Sequence, residues 1–301
     1  MKAKVILNPY SNRWKAREQW PQVEALLKQH GLECEVEVSE RRRQITELVA
    51  RAAGQGFSPI LIAGGDGTLG EAVNGLAQAA GKRTAPWGPL GILPLGTAND
   101  LAHNLRLPLA LEEAVKVIAA GKTCLMDVCQ VNDRFFVNNA AVGLEPTITV
   151  IQQEMVWAKG TLRYLLAALR GILRNPKWQA ELEWEGGSYR GPVSLVTVGN
   201  GAVTGGMFYM TPHADLLDGK LTFVHAFRRT RLEMLKTLPK TMKPGEGSYV
   251  ELEGVYEIHT PWLRVHLDKP SPAHADGEIF STAIQDLHYS ILPARLQVFL
   301  P

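Results

Sequence analysis

Three short stretches of this 301-residue chain set acidic or hydroxyl side chains beside glycine where secondary-structure preference alone would not place them. The first, "LIAGGDGTLGEAV", surrounds Asp66 with Gly64, Gly65 and Gly67 and continues through Thr68, Leu69 and Gly70. Glycine lets a backbone approach a ligand closely, and the N–H groups opening the next helix suit a phosphate. Thr68 reads as a helix cap or a phosphate ligand, with Glu71 at capping-box spacing. The same letters also suit a tight turn and nothing more. The second, "LGILPLGTANDLAHNL", repeats the grammar with Gly96, Thr97, Asn99 and Asp100. Thr97 reads there either as a helix N-cap or as a second ligand-facing hydroxyl. The third, "HADGEIF", separates Asp276 from Glu278 by one glycine. On a strand these acids share a face; across a turn they converge; on a surface turn they are only solvated.

Chemistry needs these stretches to meet, so the elements around them matter. Both glycine loops follow apolar, strand-like runs ("PILIAGG" and "LGILPLG") and precede helical patterns. In open α/β sheets ligands bind beyond the carboxyl ends of the strands, where such loops lie side by side. Asp66 and Asp100 would then hold Mg²⁺ through water, as phosphoryl-transfer sites do. The loops are neither G-x-G-x-x-G nor a Walker loop. "KVIL", "REQWPQVEALLKQHG", "CEVEVS", "ITELVARAAGQG" and "ALEEAVKVIAAGK" complete the alternation, which predicts a parallel sheet with right-handed crossovers. Beyond Met126 the texture changes. "EMVWAKGTLRYLLAALRGILRN" is helical, and six strand-like runs between turns predict an antiparallel sandwich or barrel. The expectation is an α/β domain over 1–126 and a β-rich domain over 127–289.

Composition narrows the partners. A net charge of +2, with no dominant basic stripe, gives no case for nucleic acid. Three scattered cysteines, Cys34, Cys124 and Cys129, fit neither zinc spacing nor a disulfide framework. No window approaches the apolar length of a membrane span, and the first apolar run is too short for a signal peptide. The expected setting is the cytoplasm, with contact to a membrane only at its surface.

"GGDGT" followed by "LPLGTANDLA" resembles the diacylglycerol kinase catalytic-domain family, especially its bacterial YegS-like lipid kinase branch. The resemblance extends to an "NP-S" opening, to "MDV" at Met126 to Val128 and to two motifs downstream. It implies an ATP- and Mg²⁺-dependent kinase acting on a lipid hydroxyl, with residues 290–301 packing back on the first domain. The nucleotide would contact Ser39, Gly64 to Gly70 and Thr97. "DGE" matches the family's catalytic motif, which makes Glu278 the general base with Asp276 beside it. "ADLLDGKLTF" looks like the family's Mg²⁺ turn, with Asp218 ligating by its carboxylate and Asp215 and Lys220 by their carbonyls; an Asp-Gly hairpin turn explains the same letters. Asp127 would join Asp66 and Asp100 in a water-bridged metal network. Two departures stand out: Gly70 where the family has Asn, and Asn12 where the opening motif continues "SG".

Alternatives stay open at this level. NAD kinases share the glycine–aspartate loop, although "GTANDLA" argues against them, and a silent nucleotide- or lipid-binding regulator would keep the fold. The segment from Trp157 to Arg174, with Leu162, Leu165, Leu166, Leu169, Ile172 and Leu173 interleaved with Lys159, Arg163 and Arg170, either packs on a sheet or docks on anionic lipid.

Overall fold

The computed structural model describes residues 2–155 and 160–301. The first part runs β1 (Ala3–Leu7), α1 (Lys15–Gln29), β2 (Cys34–Val38), α2 (Ile45–Gly54), β3 (Ile60–Gly64), α3 (Asp66–Ala80), β4 (Trp87–Pro94), α4 (Asp100–Asn104) and α5 (Leu111–Ala120). The strands lie in the order β2-β1-β3-β4, all parallel. Helices cover both faces, which is why β3 reads as an unbroken apolar run and is buried throughout. Ile6, Ile62 and Ile92 pack against Leu48, Val49, Leu69 and Val73 on one side. Val5, Leu7, Leu61 and Leu93 pack against Val23, Leu27, Val115 and Ile118 on the other. The carboxyl ends of all four strands therefore share one edge, where the glycine loops begin.

The second part continues with β5 (Thr123–Val131), β6 (Arg134–Phe136), β7 (Asn139–Gly143), α6 (Leu144–Glu154), α7 (Gly160–Arg174), β8 (Trp178–Trp184), β9 (Gly187–Val193), β10 (Leu195–Gly199), β11 (Val203–Thr204), β12 (Phe208–Tyr209), β13 (Leu221–Ala226), α8 (Arg231–Thr237), β14 (Val255–Thr260), β15 (Trp262–Ala275) and β16 (Glu278–Phe299). Its strands are antiparallel, in the path β14-β13-β10-β7-β15-β16, around a core that includes Phe136, Val142, Val198, Phe223, Leu263 and Tyr289. The fold is thus a parallel α/β part joined to an antiparallel β-rich part, as the strand–helix alternation predicts.

Two features differ from the sequence reading. Helix α6 arises from "LEPTITVIQQE", whose β-branched run masks a helix, and α8 from a short segment with a Thr230 cap. The expected boundary at 126 falls inside β5, which pairs along its length with the second half of β16, residues 289–299. β16 spans both parts: Ala275 pairs with Glu278 at its start, and Leu296 and Val298 run parallel to Trp87 and Leu90 of β4 at its end. Among the described residues, no helix is long and apolar enough to cross a membrane.

Candidate active site

Helix α3 begins at Asp66 with Gly65 as an extended N-cap, three residues earlier than a Thr68 cap would place it. Thr68 lies in the first turn instead. Its hydroxyl accepts from Asn8 Nδ2 at 2.9 Å and lies 3.3 Å from Ser11 Oγ, which ties the loop after β1 to the helix. Glu71 does not close a capping box either, because its Oε2 accepts the Ile45 N–H at 3.1 Å, at the start of α2. Burial first, then the charge of Glu278, raises the Glu71 carboxyl above its ordinary range. Leu69 is packed in the core and its N–H bonds the Gly65 carbonyl, so its side chain is not available to a nucleotide. Ser39 is buried at the end of β2 with its N–H on the Leu7 carbonyl.

The two glycine loops touch. A β-carbon on Gly96 would sit 2.4 Å from Gly65 Cα, and one on Gly65 would sit 2.9 Å from Gly96 Cα. No other residue fits that backbone-to-backbone contact. In the second loop the N-cap is Asn99, in the left-handed region at φ 53°, and not Thr97. Asn99 Oδ1 accepts the Gly96 N–H at 2.9 Å. Thr97 is exposed, its hydroxyl 3.3 Å from Asn12 Oδ1.

Asp276 and Gly277 form the two-residue turn between β15 and β16, both at positive φ (47° and 76°), the geometry of a type I′ hairpin that Asp-Gly favours. The turn places both acids on α3. Glu278 Oε1 would lie 3.3 Å from a β-carbon on Gly67, and Asp276 Oδ2 would lie 3.0 Å from one on Gly70. Positions 67 and 70 share a helix face, so the two carboxyls stand one above the other beside the helix N-terminus. Gly70 accordingly faces Asp276.

Asp276 is buried and accepts the N–H groups of Val137 at 3.0 Å and Asn138 at 2.8 Å. Asp66 Oδ1 accepts the Leu101 N–H at 3.1 Å and Asn138 Nδ2 at 3.4 Å. Asn138 thus bridges two of the acids, a role the sequence reading missed; the only signal was "NN" opening a buried strand. Asp100 accepts the N–H groups of Gly205 at 2.7 Å and Gly206 at 2.6 Å, which docks the "GNGAVTGG" loop onto α4. Burial first, then the charge of Asp66, pushes the Asp100 carboxyl up to about 7. Burial likewise raises Asp276 to about 7 against its amide hydrogen bonds, with Asp66 adding to the rise. Among the described residues, no Lys, Arg or His is ion-paired with Asp66, Asp100, Asp276 or Glu278.

Asp127 is not brought into this group by its hydrogen bonds. Its Oδ2 accepts Gly219 N–H and its Oδ1 accepts Ala294 N–H, both at 2.7 Å. It anchors the Asp215–Lys220 turn and a bend in β16 to β5. Within that exposed turn Asp215 Oδ1 accepts Leu217 N–H at 3.0 Å and Asp218 Oδ1 accepts Lys220 N–H at 2.9 Å. This is a side-chain-capped turn and not the two-residue hairpin that Asp-Gly also allows. Among the described residues, no three His, Cys, Asp or Glu side chains form a ready-made metal cage.

Trp157 and Lys159 lie outside the described residues. In α7, Ala167, Ala168 and Ile172 are buried while Leu162, Leu165, Leu169 and Leu173 are exposed.

A profile of the diacylglycerol kinase catalytic domain matches residues 2–131, and one of the YegS C-terminal NAD kinase beta sandwich-like domain matches residues 138–300. The chain is 32% identical over 286 residues to the "Probable lipid kinase YegS" of Escherichia fergusonii, covering 94% of this chain and 92% of that one. Its identity to the protein of the same name in an Escherichia coli strain is 32% over 278 residues, 92% of this chain and 89% of that one. Among solved structures, a putative diacylglycerol kinase from Bacillus anthracis has the same fold, with a TM-score of 0.81 at 21% identity over 100% of this chain and 97% of that one. Profiles that between them take in nearly the whole length, together with relatives 32% identical over more than nine-tenths of it, make this chain a member of the diacylglycerol kinase catalytic-domain family, in its YegS lipid kinase branch.

Proposed function

We propose that this protein transfers the γ-phosphoryl group of ATP to a hydroxyl of a lipid alcohol, with Glu278 as general base. The observation that carries the reading is the position of Glu278: a carboxylate from the start of β16 against the first turn of α3, beside the contact of the two glycine loops. A helix N-terminus with glycine on both sides favours phosphate, and a carboxylate beside it can accept the proton of an attacking hydroxyl.

The roles divide by element. Gly64, Gly65, Gly67 and the N–H groups opening α3 receive the phosphates. Ser39 and Thr97 flank them at the same sheet edge. Asn8 and Ser11 hold Thr68, and through it the helix start, in place. Asn138 fixes Asp66 and Asp276 relative to each other. Glu278 then takes the hydroxyl proton as the oxygen attacks in line. The parallel α/β part supplies the nucleotide side and the antiparallel β-rich part the acceptor side.

The carboxylates also fit Mg²⁺. Asp66, Asp100 and Asp276 lie together with no ion-paired cationic side chain among the described residues, and two of them are pushed up to about 7. That is the environment a divalent cation relieves. Asp66 would hold it directly or through water, and waters and phosphate oxygens would complete the shell that Mg²⁺ prefers. When bound, the ion neutralises charge on the transferring group. Asp100 contributes through water, since both of its oxygens already hold backbone amides. A second ion suits the exposed 215–220 turn, where the free oxygen of Asp218 and the carbonyls of Asp215 and Lys220 offer hard donors.

The test is Glu278→Gln. ATP affinity should stay within about 3-fold while kcat for label transfer into lipid micelles falls at least ~100-fold. Equal loss of affinity and turnover would assign Glu278 to binding, and label transfer to NAD in place of lipid would replace the acceptor class.

A further inference from the structure

Helix α7 presents an unusual outer face. Its buried side is formed by Ala167, Ala168, Gly171 and Ile172, packed on α6. At about 100° per residue, Leu162, Leu165, Leu169 and Leu173 form one stripe opposite that side. They are 60%, 40%, 41% and 51% exposed. Helix α8 packs beside α7 and adds Leu232 and Leu235, 60% and 37% exposed, with Met242 just beyond at 44%. Scattered exposed leucines are ordinary, but six leucines on two adjacent helices, with a methionine just beyond, are a patch.

Charge identifies what covers it. Residues 160–180 contain four basic side chains (Arg163, Arg170, Arg174, Lys177) and no acid. Residues 228–243 contain six (Arg228, Arg229, Arg231, Lys236, Lys240, Lys243) and one acid, Glu233. These two segments hold nine surplus positive charges in a chain whose net charge is +2. Arg170 and Arg174 are exposed and flank the leucine stripe one position on. An apolar stripe bordered by cations matches an anionic bilayer, where leucines enter the acyl boundary and basic groups meet the headgroups.

The interior beneath the patch agrees. A small apolar cavity of about 70 Å³ lies under α7 and α8, lined by Leu144, Ile148, Ile172, Phe208, Met234 and Leu238 among others. Glu145 lies at its wall, the one acid among the described lining residues. Its Oε1 accepts from Asn139 Nδ2 at 2.8 Å and lies 3.1 Å from His274 Nε2, on the strand that leads to Asp276. Burial would raise the Glu145 carboxyl, but His274 holds it below its ordinary value. The apolar space therefore ends on polar groups two residues from the acid turn.

We infer that the outer face of α7 and α8, with Leu162, Leu165, Leu169, Leu173, Leu232 and Leu235 and the cations around them, docks this protein on an anionic membrane surface. The docking deepens the lipid-kinase reading but does not depend on phosphoryl transfer.

The experiment is sedimentation of the full chain, without ATP, with vesicles of phosphatidylcholine alone or mixed with phosphatidylglycerol. The parent should bind the mixed vesicles at least ~10-fold more tightly, and added salt should weaken that binding. Leu165→Glu with Leu169→Glu, and separately Arg170→Glu with Arg174→Glu, should each lower binding by at least ~10-fold. All four side chains are exposed, so the fold should survive, as an unchanged Tm and unchanged ATP affinity would show. Equal binding to both vesicle types, no binding, or variants that bind like the parent would overturn the docking. So would a parent dimer that Leu165→Glu dissociates, because a second copy would then cover the face. Loss of label transfer with vesicle binding intact would count against the kinase reading and leave the docking standing.

Discussion

The buried acid Asp276 makes a thermodynamic prediction that needs no ligand. Its carboxyl is raised to about 7 in the folded protein, by burial above all and then by the charge of Asp66. In the unfolded chain an aspartate titrates near ~3.9. Between those values the folded state binds a proton that the unfolded state has released, so stability must fall as pH rises. The contribution is fully present below pH ~4 and is lost by the time pH passes ~7. A difference of about 3 units at 1.36 kcal/mol each gives ~4 kcal/mol for this one group, with a slope of at most ~1.4 kcal/mol per pH unit.

Asp276→Asn isolates the effect. Asparagine keeps Oδ1, which accepts the Asn138 N–H at 2.8 Å and the Val137 N–H at 3.3 Å, but has no proton to titrate. Urea unfolding of both proteins at pH 5, 6, 7 and 8 gives the stability difference at each pH. The variant should gain on the parent by up to ~1.4 kcal/mol per unit from pH 5 to 7 and gain little more above pH ~7.5. Groups remote from the turn cancel in the difference, and Asp100, whose carboxyl the charge of Asp276 helps to raise, shifts it in the same direction. A difference that is constant from pH 5 to 8, or that moves in the parent's favour as pH rises, would show that Asp276 titrates as an ordinary surface acid. The carboxyl of Asp66 would then not be raising those of Asp100 and Asp276.

Two further substitutions test how the site is held. Gly96→Ala puts a methyl group 2.4 Å from Gly65 Cα; it should cost ~1–3 kcal/mol of stability and weaken ATP binding, whereas an unchanged urea midpoint would mean the two loops are not in contact. Asp127→Ala strips the acceptor from Gly219 N–H and Ala294 N–H; the expected loss is ~2–4 kcal/mol, and a loss under ~1 kcal/mol would show that water replaces the carboxylate freely.

Local grammar made the α/β part legible. "LIAGGDGTLGEAV" contains a fully buried parallel strand, the turn and the helix in order, and each follows from hydrophobic run, glycine and period. The start of α3 was misplaced because a threonine and a glutamate three apart satisfy the capping-box pattern, while in the fold each is taken by a distant partner, Asn8 for Thr68 and Ile45 for Glu71. Such exchanges are invisible locally: they depend on which strands lie side by side. The same holds for Asn138, whose importance comes from touching Asp66 and Asp276, 72 and 138 residues away. Asp100 and Asp127 show the converse. Their residue type pointed to metal, yet both satisfy backbone amides, which a buried carboxylate does as readily as it binds a cation. Helix α6 was hidden because Thr147 to Ile151 alternate like a strand, and only packing against α7 and β15 decides the matter.

The position of the acid turn ties the chemistry to the whole sheet. β16 leaves Glu278 beside α3, travels 22 residues, and ends as a parallel neighbour of β4, the strand that feeds the second glycine loop. The strand that presents the acid and the strand that presents the loop are therefore fixed to each other at the far end. A one-residue slip would turn the inward side chains of β16 outward, removing Leu296 and Val298 from the core as well as Glu278 from α3. The two sequence departures fit this frame without removing a reactive group. Asn12 sits at φ 49°, in the left-handed region that asparagine tolerates best after glycine. Gly70 leaves Asp276 room to lie on the helix, since even a β-carbon there would stand 3.0 Å from its carboxylate oxygen. Glycine at 70 is thus what lets the acid turn lie directly on the first turns of α3, with the Asp276 carboxylate against the helix.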